Sequence, residues 1–67
     1  MQKITLEAAR VNTGLKQWQL AEKMGVSRTT INKWENGKAP MKPVYLYMFC
    51  GITGFSEDEL ILPIKST

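Results

Sequence analysis

The sequence predicts an all-α fold of five short helices, and three observations support this prediction. Apolar residues recur at spacings of three and four, as on one face of a helix, and no segment alternates like a half-buried strand. Helix-capping residues precede these segments, and glycines follow them. The 67 residues contain no internal repeat or low-complexity tract, so we expect one domain over residues 1–67.

The first two helices are predicted over residues 5–12 and 17–24. Thr5 is a suitable cap for the first, which ends near Gly14. Gly25 ends the second in the left-handed conformation that glycine adopts without strain. The residues expected to face inward are Leu6, Ala9, Leu20, Ala21 and Met24.

The third helix is predicted over residues 28–36, after a Ser27 cap. Val26 and Ile31 occupy the positions of a hydrophobic staple around this cap. However, Arg28 places a fixed positive charge in the first turn, where the helix dipole favours anions. This choice needs a reason other than the stability of the helix.

The last two helices are predicted over residues 43–53 and 57–62. Pro43 suits the first turn of the fourth helix, and Gly54 ends it. The fifth begins at a capping box, Ser56 to Glu59. This role accounts for the acidic cluster without catalysis. The inward stripe of the fourth helix is expected to be Leu46, Phe49, Cys50 and Thr53. Gly51, in the same helix, has no explanation from the sequence beyond close packing against a neighbour.

Composition excludes several classes of site. One cysteine and no histidine rule out an intramolecular disulfide and a Cys/His metal site, and no phosphate-binding loop or nucleophile–base pair is present. We therefore expect no enzyme activity, no cofactor, no metal and no small-molecule substrate. No signal peptide is visible, and no stretch approaches the roughly 20 apolar residues of a membrane span. The single cysteine fits a cytoplasmic location.

Charge is distributed unevenly along the chain. Residues 1–42 have a net charge of +5, whereas residues 43–67 have a net charge of −2. A basic front and an acidic back suit a protein that docks a polyanion with one face, although ordinary solvated charge gives the same asymmetry.

The second and third predicted helices satisfy the requirements of a helix-turn-helix. A small residue is needed where the helices cross, a glycine in the turn, and apolar residues to hold the roughly 90–120° crossing. All of these occur at the right spacing, at Gln17, Leu20, Ala21, Met24, Gly25, Val26, Ile31 and Trp34. Trp34 is expected in the core. Trp18 is expected either on the rim beside the first helix or flanking a DNA backbone.

The segments ITLEAARVNTGL, QLAEKMGVSRTTINKWENGK and SEDEL, with Gly54, resemble the phage-repressor/Cro-like, XRE-type helix-turn-helix family. The resemblance extends from Ile4 to Leu60. It implies a compact five-helix lambda-repressor-like domain that binds double-stranded DNA as a homodimer on a palindromic operator.

The resemblance also assigns roles to individual residues. Base-reading positions are Arg28, Thr29, Asn32 and Lys33. Together with positions chosen on chemical grounds, the expected phosphate contacts are Lys16, Gln17, Ser27, Thr30, Asn36 and Lys38. Arg10 and Glu35 match a buried ion pair of the family.

Chemistry agrees with the base-reading assignments. Arginine fits the O6 and N7 atoms of guanine in a bidentate pair, which gives Arg28 a reason to stand in the first turn. Lys33 suits guanine or O4 of thymine, and the methyl group of Thr29 suits the methyl group of thymine. Asn32 fits adenine if it approaches closely, and otherwise faces the groove wall. Plain solvation of this polar face is the alternative.

Apolar residues near the C-terminus predict a homodimer patch formed by Tyr45, Leu60, Ile61 and Leu62. Closure of the core over the first helix is the alternative. The function predicted from the sequence is a sequence-specific transcriptional regulator, a repressor of the phage or mobile-element kind. The alternative is a protein-interaction module of the antitoxin or anti-repressor type.

Overall fold

The structure, a computed structural model, describes residues 3–63. Within this range, four helices pack on one another and two short strands lie beside them. The elements in chain order are β1 (Ile4–Thr5), α1 (Leu6–Asn12), α2 (Gln17–Met24), α3 (Arg28–Glu35), α4 (Pro43–Thr53), a 3₁₀ turn (Glu57–Glu59) and β2 (Leu60–Ile61). None of these helices has the length and apolar character needed to span a bilayer.

Local capping determines where the helices begin and end. The Thr5 hydroxyl accepts a hydrogen bond from the Ala8 N–H at 3.0 Å, and the Ser27 hydroxyl accepts one from the Thr30 N–H at 3.1 Å. Each bond satisfies an N–H that the first turn leaves without a partner. At the other end of α2, Gly25 has φ +70, a left-handed conformation.

The core lies where the four helices meet. Ten of its buried residues come from the helices and β2, and one, Met41, comes from the loop before α4. Met41 was not predicted because a loop has no periodicity that indicates which side chains face inward. The core residues are Leu6, Ala9, Leu20, Ala21, Met24, Ile31, Trp34, Met41, Leu46, Phe49 and Leu60.

The prediction of a fifth helix over residues 57–62 is wrong. The prediction that the chain contains no strands is also wrong. One 3₁₀ turn leads into β2, which pairs in parallel with β1 in the register Ile4 to Leu60 and Thr5 to Ile61. A helix of six residues gains too few hydrogen bonds to offset its nucleation. Pairing with β1 instead supplies partners for the backbone of this apolar segment.

The predicted dimer patch is smaller than expected. Leu60 is only 3% exposed, so it belongs to the core and not to the surface. Tyr45 is half-buried, with its ring centroid 5.3 Å from that of Trp34. Ile61 is 46% exposed and Leu62 is half-buried. Ile64, which follows Leu62 and Pro63 in the same apolar segment of the sequence, lies outside the described residues.

A buried ion pair joins α1 to α3. Arg10 donates from Nε to Glu35 Oε2 at 2.6 Å and from Nη1 to the Leu15 carbonyl at 2.8 Å. Gln17, the first residue of α2, donates from Nε2 to Glu35 Oε1 at 2.9 Å. The Glu35 carboxylate therefore connects three helices.

We expect Glu35→Leu to lower the free energy of unfolding by about 3–5 kcal/mol, because it leaves the buried Arg10 guanidinium with only the exposed Glu7 carboxylate, 4.0 Å away, as a counter-ion. Adding Arg10→Met removes that stranded charge and should recover most of the loss. Urea denaturation of the two single variants and the double variant measures the coupling. Glu22→Leu, at an exposed position of α2, is the control. A loss no larger than that of the control would contradict the role of the pair.

Gly51 does not pack closely against a neighbour, contrary to the explanation offered from sequence. A Cβ atom built at this position meets no atom within 4 Å, and the residue lies exposed inside α4. Gly54 also has open space around it, but its φ of +80 is strained for any residue with a Cβ atom.

Gly51→Ala should raise the free energy of unfolding by up to about 1 kcal/mol, because alanine loses less backbone entropy in a helix. Gly54→Ala should lower it by about 1–2 kcal/mol, because the αL conformation is retained under strain. Thermal and urea unfolding of both variants test this pair. A destabilised Gly51→Ala protein would contradict the open space around this position in α4.

Candidate nucleic-acid interface

Helix α3 has one buried face and one exposed polar face. Ile31 and Trp34 pack into the core. Because successive residues of a helix are rotated by about 100°, the positions between them point away from the core. The four predicted base-reading side chains all occupy this exposed face: Arg28, Thr29, Asn32 and Lys33.

Two shallow concavities lie along this region. Arg28, Thr29 and Asn32 line the first, which runs along α3. Arg28 also borders the second, where the N-terminal ends of α2 and α3 approach each other. The remaining residues that line the second concavity are Glu7, Arg10, Lys16, Gln17 and Trp18. A rigid ligand that lies against α3 is therefore also in reach of the start of α2.

Lys16 and Gln17 have structural partners as well as exposure to this concavity. The Lys16 N–H donates to Gln19 Oε1 at 2.9 Å, which is the glutamine half of a capping box, whereas the lysine side chain has no acceptor for the N–H groups of the first turn of α2. The Lys16 ammonium group is exposed. The Gln17 amide is half-buried, and one of its two hydrogens is directed to Glu35.

The hydroxyls at the start of α3 bind each other. Ser27 Oγ and Thr30 Oγ1 are 2.9 Å apart, and Ser27 Oγ also accepts from the Thr30 N–H. Ser27 is exposed and Thr30 is half-buried. This arrangement fixes the orientation of both hydroxyls, which belong to two residues predicted from the sequence to contact phosphate.

The end of α3 is closed by polar contacts. Asn36 donates from Nδ2 to the Asn32 carbonyl at 2.9 Å and to Asn32 Oδ1 at 3.0 Å. The Lys38 N–H donates to the Lys33 carbonyl at 2.9 Å, while the Lys38 side chain is exposed. From the sequence, Asn32 was expected to read bases and Asn36 to contact phosphate, and a contact between them was not predicted.

Trp18 is 53% exposed and lines the second concavity beside Lys16 and Arg28. The structure thus places this large apolar side chain at the edge of the polar site.

Local charge at this site is positive. Helices α2 and α3 have no acidic residue in the first turn, whereas Arg28 is the first residue of α3. A helix N-terminus has a partial positive charge of its own, so the backbone and the side chains favour an anion here.

Cys50, in α4, has no sign of reactivity. Burial raises the pKa of the Cys50 thiol above its usual value, and the negative charges of Glu57 and Asp58 raise it further. The thiol is therefore protonated at neutral pH and is a weak nucleophile. Within residues 3–63, no group of acidic or cysteine side chains is arranged to hold a metal ion.

A helix-turn-helix family model matches residues 6–60, a range that includes all of α1 to α4. No curated protein and no solved structure shows a significant match to the chain. The family match extends over more than half of the chain and includes the paired helices that form the candidate interface. The chain therefore belongs to the XRE-type, Cro/CI-like helix-turn-helix family of DNA-binding regulators.

Proposed function

We propose that this protein is a sequence-specific transcriptional regulator, a repressor of the phage or mobile-element kind, whose α3 enters the major groove of double-stranded DNA. The observation that supports this most strongly is the division of α3 into a buried apolar face and an exposed face of hydrogen-bonding side chains. An α-helix fits the major groove, where each base pair presents a distinct pattern of donors and acceptors.

In this proposal Arg28 makes the main sequence-specific contact. Its guanidinium is exposed at the start of α3 and suits N7 and O6 of guanine, a pairing with about 1–3 kcal/mol of discrimination against other bases. Lys33, one turn after Thr29 on the exposed face of α3, reads guanine or O4 of thymine. Thr29 contacts the methyl group of thymine.

The phosphate contacts would position the duplex without reading sequence. Lys16 and Gln17 border the same concavity as Arg28, so one docking pose serves a phosphate at the start of α2 and a base at the start of α3. The remaining contacts flank α3 at both ends, from Ser27, Thr30, Asn36 and Lys38.

We further propose that the protein binds a palindromic operator as a homodimer in the bacterial cytoplasm or nucleoid. Two α3 helices that read successive turns of one face of DNA require half-sites about 34–36 Å apart. The proposed dimer surface consists of Ile61, Leu62 and the exposed part of Tyr45. Occupation of the operator would exclude RNA polymerase from an overlapping promoter.

A second candidate function is a protein-interaction module of the antitoxin or anti-repressor type. It is supported by the outer face of α4, where Val44 is 61% exposed and Tyr47 is 83% exposed on a helix without any charged residue. In that case α4 binds a partner protein, and the polar face of α3 is merely solvated.

Selection from a random duplex library should enrich a short palindrome with the unaltered protein, whereas Arg28→Ala should lose preference at one symmetric base-pair position. The expected loss is about 1–3 kcal/mol of discrimination, because one bidentate contact is removed. Lys23→Ala is the matched control, since it removes the same charge from an exposed residue of α2 that lines neither concavity.

Three outcomes separate the two functions. A preference lost in Arg28→Ala and retained in Lys23→Ala supports DNA reading by α3. An equal drop in affinity in both variants, with the preference unchanged, means that Arg28 contributes charge alone. If the unaltered protein enriches no sequence, the protein-interaction module becomes the better proposal.

Ile61→Lys should weaken binding to a palindromic duplex by at least about tenfold and leave binding to a single half-site unchanged. The substitution brings two like charges together across a two-fold interface. Because β2 pairs through its backbone, the strand itself tolerates the change. Sedimentation of the protein on both duplexes measures the stoichiometry.

Tyr47→Lys is the control for this experiment, since it adds the same charge to the other exposed apolar surface, on α4. If Tyr47→Lys rather than Ile61→Lys abolishes the two-to-one complex, the dimer forms through α4 and the proposed surface is wrong.

A further inference from the structure

The hydrogen bonds of Asn36 determine which end of the Asn32 amide faces outward. Asn36 Nδ2 lies 2.9 Å from the main-chain carbonyl oxygen of Asn32. A carbonyl oxygen only accepts hydrogen bonds, so the Asn36 atom beside it must be the amide nitrogen and not the amide oxygen. The orientation of the Asn36 side chain is therefore fixed by the backbone of α3.

This orientation in turn fixes that of Asn32. The same Asn36 nitrogen is 3.0 Å from Asn32 Oδ1, which accepts its second hydrogen. A flipped Asn32 amide would place two NH₂ groups against each other and lose this bond. Because the two polar atoms of a planar amide diverge from one carbon, Asn32 Nδ2 is directed away from Asn36.

The result is an exposed face of α3 that offers mainly donors. Asn32 lines the same concavity as Arg28 and Thr29. Arginine and lysine have donors and no acceptor, so Arg28 and Lys33 already present N–H groups only. With its oxygen held by Asn36, Asn32 adds a third donor to this row.

We propose that Asn36 is a positioning residue that holds Asn32 as a hydrogen-bond donor, so that α3 selects base edges that carry acceptors, guanine above all. This inference rests on the proposed DNA-binding function. An unrestrained asparagine pairs with adenine through both its oxygen and its nitrogen. Here Asn36 takes one lone pair of the Asn32 oxygen and holds that oxygen towards the end of α3, so guanine, with acceptors at both N7 and O6, is the best match for the outward nitrogen.

The base-pair position that Asn32 reads is found first. Library selection with Asn32→Ala, compared with the unaltered protein, should abolish preference at one symmetric position. We expect the unaltered protein to prefer guanine there by about fivefold to tenfold, the effect of one hydrogen bond.

Two substitutions of Asn36 then test its control over that position. Asn36→Ala frees the Asn32 amide to turn, so adenine should become about as acceptable as guanine. Asn36→Asp, which has only acceptors, should attract Asn32 Nδ2 and turn Oδ1 outward. The preference should then move by about fivefold towards bases with a donor, adenine at N6 or cytosine at N4.

Preference and affinity are read separately, because a residue that only contacts phosphate changes affinity evenly across sequences. The added negative charge of Asn36→Asp lowers affinity on every duplex, and comparison among duplexes removes this effect. Circular dichroism and thermal unfolding verify that each variant is folded, and two independent substitutions keep the test valid if one is not.

Two results overturn the inference and leave the proposed function intact. One is a preference at the Asn32 position that both Asn36 variants leave unchanged, and the other is an adenine preference in the unaltered protein. By contrast, if the unaltered protein enriches no sequence, the proposed function itself fails, and the inference fails with it.

Discussion

The Glu35 carboxylate is the group on which the geometry of the candidate interface depends. It lies at the end of α3 and accepts hydrogen bonds from Arg10 of α1 and Gln17 of α2. Helices α2 and α3 have eight residues each, fewer than the roughly 12–15 that an isolated helix needs in water. Their orientation must therefore come from tertiary contacts. Apolar burial at Trp34 is non-directional, whereas charge-assisted hydrogen bonds require defined positions of donor and acceptor. The buried carboxylate therefore adds directional contacts to the apolar packing that holds the crossing of the two helices, and with it the direction of the exposed face of α3.

Most helix boundaries could be predicted from the sequence because they are determined within a few residues. Local interactions of this kind are the caps at Thr5 and Ser27 and the left-handed conformation of Gly25. The strand pair could not be predicted in the same way. Ile4 and Leu60 are at opposite ends of the described chain. The strands β1 and β2 have two residues each, too few to show an alternating pattern in the sequence. The pairing exists because the helices bring those ends together. The capping box at Ser56 was recognised, but it begins a single 3₁₀ turn, since the segment after it has a better backbone partner in β1.

The candidate site was predictable to a similar depth. Helical periodicity indicates that Arg28 and Asn32 lie on the exposed side of α3, because this follows from spacing and from the burial of Trp34. Contacts between side chains are a different matter. The separation of four residues allows Asn36 to reach Asn32, but the bond forms only with particular rotamers of both. The position of Trp18 beside Arg28 likewise depends on how α2 lies against α3, which no local pattern specifies. Sequence therefore indicates which residues occupy the exposed face of α3, and the structure adds which hydrogen-bonding atoms they present.

The start of α2 and the start of α3 combine features that are unfavourable in the free domain. Lys16 occupies a cap position without an acceptor, and Arg28 opposes the helix dipole at a cost of about 0.3–1 kcal/mol. The absence of first-turn acids from both helices leaves the partial positive charge of their N-termini unbalanced. In the proposed complex these unfavourable features become favourable. The positive charges of Lys16, Arg28 and the helix N-termini, which repel one another in the free domain, attract a phosphate near Lys16 and guanine acceptors near Arg28. Local departures from good helix design are expected where binding, rather than folding, determines the residue. Such departures are concentrated around one concavity, whereas Thr5 and Ser27 cap their helices well. This concentration of positive charge indicates that binding to a polyanion determines which residues occupy this face.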